Sequence, residues 1–279
     1  MNKAEEKDLI RLKTAEASAC IHLHGATLIS WVFNGKERIF VSDKAIFDNK
    51  KAIRGGIPFV FPNFGPWSLG PQHGFARISR WTVHEQPHAV ADGGFAVTLA
   101  LEDTEETRKM WNFKFRVLYT VILRKNNLVL DINVINTGDT EFSFTVLLHT
   151  YLRLNDVNQF SLSGLRGSPY VDKVKQGEKG MECEDEVHIK GAIDRVYSRT
   201  SDTHTCSVAG KAWVIVKKTN NFPDTVVWNP WASGAASMAD FGDDEYLQMV
   251  CVEPGYVSEP RKLPPKQTFE ASITMEAVE

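Results

Sequence analysis

At 279 residues, with 43% of them hydrophobic and 24% charged, the chain has the make-up of a globular protein able to bury a substantial core, which sets aside disordered and fibrous classes. Its net charge of −3, spread over interspersed acids and bases, provides no broad field for nucleic acid or an anionic membrane, so any anion it binds must meet a local basic site. All-β folds of this length commonly form one domain, and a single domain over 1–279 is the expectation.

The N-terminal stretch MNKAEEKDLIRLKTAE alternates charges and holds no apolar signal region, and no run of about 18 apolar residues follows anywhere. A cytoplasmic protein is expected. Cys20, Cys183, Cys206 and Cys251 include no C-x-x-C pair, and reduced thiols are expected. Cys20, His22 and His24 would share one face of a strand, a spacing that can hold metal, but no obvious fourth ligand accompanies them and no metal is expected.

From Ile53 to Gly74 the chain changes character, with glycines at 55, 56, 65, 70 and 74 and prolines at 58, 62, 66 and 71. This reads as a long shaped loop rather than a ladder, and the interleaved Phe59, Phe61, Phe64 and Trp67 mark it as ordered and functional. Arg54 stands before Gly55-Gly56, and Arg77 closes the run Gln72-His73-Gly74-Phe75-Ala76-Arg77. Glycine beside a guanidinium permits close approach to a phosphate, although a surface arginine with no ligand fits the same pattern.

Period-two alternation dominates the rest, and convincing amphipathic helices are absent, so the fold class is all-β. Phe113, Phe115, Val117, Tyr119, Val121 and Leu123 fall on one face; after a turn at Arg124 to Asn127, Leu128, Leu130, Ile132 and Val134 resume the pattern. A polar turn from Asn136 to Thr140 then leads to a third strand, Glu141 to Leu154, which would complete a meander. In that strand Phe142, Phe144, Val146, Leu148 and Leu152 share one face. His149 points the other way, with Ser143, Thr145, Leu147, Tyr151 and Arg153, where it is either a structural hydrogen-bonded residue or a proton donor titrating near neutrality. The DFG at Asp240 to Gly242 has no accompanying kinase motifs, and Asp240, Asp243, Asp244 and Glu245, which lack calcium-loop spacing, read as a solvated turn. Leu247 to Glu253 and Thr268 to Glu279 read as two strands around a Pro- and Gly-containing connection, with Glu253 at a strand terminus, either solvated or held rigidly as a base. Packed sheets are the natural way to bury so many half-apolar strands.

Five segments in series, IRGGIPFVFPNFG from Ile53, QHGFAR from Gln72, LLHTYLRL around His149, VVWNPW from Val226 and MADFGDDEYLQMVCVEPG from Met238, resemble the glucose-6-phosphate 1-epimerase (hexose-6-phosphate mutarotase) branch of the aldose 1-epimerase superfamily over nearly the whole chain. The resemblance implies a galactose mutarotase-like supersandwich of large antiparallel sheets. It implies Glu253 as catalytic base, His149 as acid, and Arg54, Gln72, Arg77 and Asp194 as substrate-binding groups, with His73 a further candidate beside the sugar. The stretch ASGAA from Ala232 departs from the charged sequence expected there.

The implied reaction interconverts the anomers of glucose 6-phosphate by ring opening and closure. It needs one proton acceptor and one donor, and no cofactor, nucleotide or metal. The partner is then a hexose 6-phosphate, with no nucleic acid, no membrane, and a monomer as the expectation. Two alternatives remain open at this point: a mutarotase of unphosphorylated aldoses, and a non-catalytic sugar-phosphate binding protein on the same fold.

Overall fold

A computed structural model describes residues 4–91 and 93–279. Among these residues every strand pairing is antiparallel, in sheets of four, eight and nine strands. The nine-stranded sheet runs Glu186–His188, Phe160–Ser163, Thr203–Val208, Lys211–Lys218, Thr268–Ala277, Asn127–Asn136, Phe115–Leu123, Phe95–Glu102, Thr82–Ala89. The eight-stranded sheet runs Glu178–Met181, Pro169–Asp172, Ile193–Tyr197, Asp224–Asn229, Met249–Leu263, Phe142–Leu148, Phe59–Val60, with Tyr151–Arg153 also paired to Met249–Leu263. The four N-terminal strands between Leu9 and Glu37 form the third sheet.

The hairpin Phe115–Leu123 and Asn127–Asn136 follows the alternation read from sequence. Val117, Tyr119, Val121, Leu123, Leu128, Leu130 and Val134 have no exposed surface. Their partners across the core come from the other sheets: Phe59 packs on Tyr119 with ring centroids 5.3 Å apart, and Leu28, Phe144, Val146 and Leu148 belong to the same cluster. Each such side chain contributes roughly 1.5–3 kcal/mol by leaving water.

Four sequence expectations need correction. The third strand does not complete a meander: Phe142–Leu148 leaves the nine-stranded sheet and pairs with Met249–Leu263 and Phe59–Val60. Nor is it continuous, because Thr150 N–H turns back to the Leu148 carbonyl and separates Phe142–Leu148 from Tyr151–Arg153. The C-terminal strand runs through Pro254-Gly255 as Met249–Leu263, so Glu253 lies inside a strand rather than at its end. The Gly- and Pro-rich segment does form part of a ladder. Thr145, His149 and Tyr151 donate to the carbonyls of Pro62, Pro58 and Gly56, and Leu147 and Leu148 pair with Val60 and Phe59. Proline cannot donate, yet its carbonyl accepts, so the segment serves as an irregular edge strand.

Among the described residues two short α-helices, Glu105–Met110 and Trp231–Ala236, interrupt the sheets, the first opened by a capping box between Thr104 and Thr107. Among the described residues no helix is long and apolar enough to cross a membrane.

Candidate active site

Alternation gives each central strand of the eight-stranded sheet two different faces. Val250 and Val252 join the main core, while Cys251 faces the other way, packed with Phe40 and Tyr151. On that second face Asp194, Trp228, Glu253, His149 and Tyr151 line a cleft of about 500 Å³, together with Arg54, Gln72 and His73 from the Gly/Pro segment, Arg77 just after it, and Lys173 and Met238. The structure thus brings all seven residues singled out from the sequence, Arg54, Gln72, His73, Arg77, His149, Asp194 and Glu253, to one cavity.

The floor is set by register. Leu147 opposes Gly255 and Tyr151 opposes Cys251, so His149, in the break between the two strands, comes opposite Glu253. Their side chains meet with Nδ1 of His149 3.3 Å from Oε1 of Glu253. The approach lacks hydrogen-bond alignment, which leaves His149 Nδ1 and both Glu253 oxygens buried without a hydrogen-bond partner. Glu253 is 1% exposed and His149 9%. Unpaired polar atoms at such depth cost about 1–3 kcal/mol each, so the pair is held ready for a partner that protein groups do not supply.

Burial raises the Glu253 carboxyl well above its usual range; Asp194 adds to the rise, and Lys173 and Arg77 oppose it. Burial lowers the His149 imidazole well below its usual value, aided by His73, Arg77 and Arg54. Both shifts favour Glu253 over His149 as the holder of a proton shared by the pair. This differs from the resting ionised base and protonated acid that the expected roles suggest, but the proton count is the same. Burial also lowers His73 to about 3, with help from Arg77, Lys173 and Arg54, so it is neutral in the site. Its Nδ1 accepts from Gly65 N–H at 3.2 Å, and its ring stands edge-on to His149 at 5.9 Å.

Arg54 Nε donates to Asp240 Oδ1 at 3.1 Å, and its Nη1 lies 3.5 Å from the Tyr151 hydroxyl. Burial works against the Arg54 charge but is outweighed by Tyr151 and Asp240, so the guanidinium is held firmly protonated. Asp240 is therefore not part of a solvated turn. Glu245 departs from that reading too, accepting from Ser42, Asp43 and Gly242, whereas Asp243 and Asp244 are exposed. Arg77 Nη2 donates to the Gln72 carbonyl at 2.8 Å, while its Nε is buried without a partner. Burial lowers Arg77 to about 10, which still leaves it charged near neutrality.

Sequence reasoning missed Lys173, whose Nζ lies 4.0 Å over the Phe64 ring and 3.8 Å from Asp194 Oδ1. No local signal marks it among 32 lysines and arginines. Burial raises Asp194, with Lys173 opposing. Cys20, His22 and His24 take no part in this cleft: His24 Nε2 meets the Lys51 carbonyl at 2.9 Å and His22 Nδ1 accepts from His24 N–H.

A sandwich of large antiparallel sheets with a buried carboxyl–imidazole pair in a cation-rimmed cleft defines a mutarotase-type fold, and the chain belongs to the aldose 1-epimerase family, whose model matches residues 8–276. Its relatives narrow the branch. It is 36% identical over 266 residues to a protein of Cenchrus ciliaris and 35% identical over 264 residues to one of Escherichia coli K12, both named "Putative glucose-6-phosphate 1-epimerase". Those alignments cover 92% and 94% of this chain and 80% and 87% of the relatives. The solved structure of a "putative mutarotase" from Salmonella typhimurium is similar at a TM-score of 0.89 and 28% identity, covering 99% of this chain and 92% of that one. Galactose 1-epimerase from Lactobacillus acidophilus shares the fold, with a TM-score of 0.75 at 14% identity over 99% of this chain and 96% of that one. The galactose mutarotase-like supersandwich expected from the sequence is the fold of this chain.

Proposed function

We propose that this protein interconverts the α and β anomers of a hexose 6-phosphate, glucose 6-phosphate in the first instance, by acid–base opening and closing of the ring. The observation that carries this reading is the buried, unpartnered His149–Glu253 pair on the floor of a cleft that also presents Arg54, Arg77 and Lys173. Membership of the aldose 1-epimerase family and the printed names of the relatives support it.

Entry of the sugar places its O1 hydroxyl against the Glu253 oxygens, and hydrogen bonding to the carboxylate form favours ionisation. His149 and Glu253, 3.3 Å apart, align as the sugar seats, and a proton shared by the pair moves to His149, leaving a base and a protonated donor. Glu253 then takes the O1 proton, the C1–O5 bond breaks with its electron pair going to the ring oxygen, and His149 delivers its proton to O5. Rotation about C1–C2 turns the other aldehyde face, and the same steps in reverse close the ring as the opposite anomer. Arg54, Gln72, His73, Arg77, Lys173 and Asp194 hold the substrate. The arginines and Lys173 meet the phosphate, because guanidinium donors match its oxygens bidentately and ammonium adds a point charge.

The same reading puts the protein in the cytoplasm with its charged substrate, which does not cross a bilayer unaided. One chain, acting as one domain, supplies every named group, so a monomer suffices. The test is anomer exchange followed by magnetisation-transfer NMR on glucose, mannose and galactose with and without the 6-phosphate. Equal or greater acceleration of the free sugars would refute the assignment to sugar phosphates, and no acceleration of any would refute the enzyme.

A further inference from the structure

We propose that the floor of the cleft is also a binding site for a thiophilic divalent cation of the Zn²⁺ class, held by Cys251, His149 and Glu253, and that a cation seated there excludes the sugar. Cys251 and Glu253 are two residues apart in Met249–Leu263 and so share a face, and the register that sets Tyr151 against Cys251 brings His149 beside both. One ligand atom from each of the three lies within 4.8 Å of the other two, and His149 Nδ1 is 3.3 Å from Glu253 Oε1. Donors bound tetrahedrally to zinc stand roughly 3.3–3.8 Å apart, so the cluster must contract by up to about 1.5 Å to close on an ion. Among the described residues no other such cluster of three forms.

Proximity alone would be weak ground. The independent observation is that His149 Nδ1 and both Glu253 oxygens are buried and unpartnered, so coordination breaks no existing hydrogen bond. The donor set selects the metal. Thiolate, imidazole and one carboxylate suit zinc and cobalt, whereas calcium and magnesium demand an oxygen shell. On binding, the proton of the Cys251 thiol and any proton on the Glu253 carboxyl pass to solvent, and the resulting thiolate and carboxylate charges match the ion. Asp194 and Asp240 offset two of the three cations, Arg54, Arg77 and Lys173, that would repel it. The fourth position falls to a water. Because the ion takes the very atoms that move protons, it inhibits. That consequence rests on the proposed function, while the binding itself does not.

Cobalt(II) titration of the full chain tests the site, in a Cys183→Ser background that removes the exposed thiol. The expected result is one cobalt per chain, with a thiolate-to-cobalt charge-transfer band and tetrahedral d–d absorption, both displaced by equimolar zinc. Cys251→Ser should lose the band and bind zinc more than about tenfold more weakly, the loss that removing even an outer-shell partner can cause. It should still exchange anomers, now insensitive to zinc, whereas inhibition of the parent should be relieved by excess sugar phosphate or chelator. Cobalt bound without the sulfur band, absence of stoichiometric binding up to about 1 mM metal, or unchanged zinc affinity in Cys251→Ser overturns the site. Should that variant fold poorly, the spectrum of the parent and of Cys251→Ala decides. The absorbance readout judges the metal site even if no sugar is turned over.

Discussion

Arg54 and Asp240 are joined at 3.1 Å although 186 positions apart in the chain, with side chains only 26% and 19% exposed. The pair ties the Gly/Pro segment to the turn that follows Trp231–Ala236 and aims the remaining guanidinium donors into the cleft. Asp240→Ala should raise KM for hexose 6-phosphate about tenfold while leaving kcat within about threefold, since a charge-assisted hydrogen bond contributes roughly 1.5–3 kcal/mol. Asp240→Asn keeps an acceptor and should recover part of the loss. A fall in kcat with KM unchanged would remove Asp240 from the role of positioning residue.

Chemistry at the floor is tested by Glu253→Gln and His149→Ala. Each should fold and bind sugar phosphate yet exchange anomers about 10²–10⁴-fold more slowly, the usual contribution of a general acid or base. Magnetisation-transfer rates, corrected for the spontaneous reaction, provide the measurement. Near-normal exchange in purified Glu253→Gln would defeat the assignment.

The pH dependence follows from a pair that works with one proton. As pH falls through the lowered His149 value a second proton is taken up and activity drops; as pH rises through the elevated Glu253 value the last proton is lost and activity drops again. A bell is therefore expected, with its acid limb below the usual imidazole range. Stability carries a matching sign. The folded pKa of Glu253 is raised, so its contribution is complete below the ordinary carboxyl range and is lost as pH climbs towards the folded value. Glu253→Gln should consequently gain stability relative to the parent as pH rises from the ordinary carboxyl range towards that folded value, seen in denaturant midpoints at several pH values. A constant difference between the two proteins across pH would contradict the buried carboxyl.

On the proposed function, recognition of the phosphate would fall to Arg54, Arg77 and Lys173. Replacing either arginine by alanine should weaken the preference for glucose 6-phosphate over glucose about tenfold to a hundredfold. Lysine at the same position should be an incomplete substitute. Lys173→Ala should have a smaller effect in the same direction, because its ammonium is partly exposed and also faces Asp194. Sulfate inhibition provides an independent readout. Unchanged sulfate sensitivity in all three variants would take the phosphate away from these groups.

Gly74 has φ +72°, and a Cβ there would come within 2.2 Å of the Phe61 carbonyl oxygen. The backbone contact packs the His73–Arg77 turn onto the edge strand. Gly74→Ala should destabilise by about 2 kcal/mol or more and disturb His73, through both the collision and the left-handed conformation. Urea unfolding measures the first effect, and KM for the sugar phosphate the second.

Alternation made the hairpin Phe115–Leu123 and Asn127–Asn136 legible, because one face is uniformly apolar and the other is half-polar. The same rule assigned Phe142 and Val146 to a buried face but could not name their partner strand, since parity is identical in either sheet. Glu253 was hard to place for another reason. Val250 and Val252 enter one apolar cluster and Met249 and Cys251 another, so the strand is apolar on both sides and loses its period. Pro58 and Pro62 disguised an edge strand by removing donors while keeping acceptors. Of the site, the residues clustered in motifs could be found, whereas Lys173 and the partnership of Asp240 with Arg54 exist only through tertiary packing.

On the proposed function, proton transfer and the grip on the phosphate reside on different kinds of backbone. Glu253 is fixed inside a paired strand and His149 is clasped between two, whereas Arg54, His73, Arg77, Lys173 and Asp240 lie outside the regular strands. The rim can therefore be redrawn, by exchange of a basic residue or a change in loop length, without moving the atoms that break the ring bond. A scaffold divided this way allows new sugars to be tried at little risk to the reaction itself.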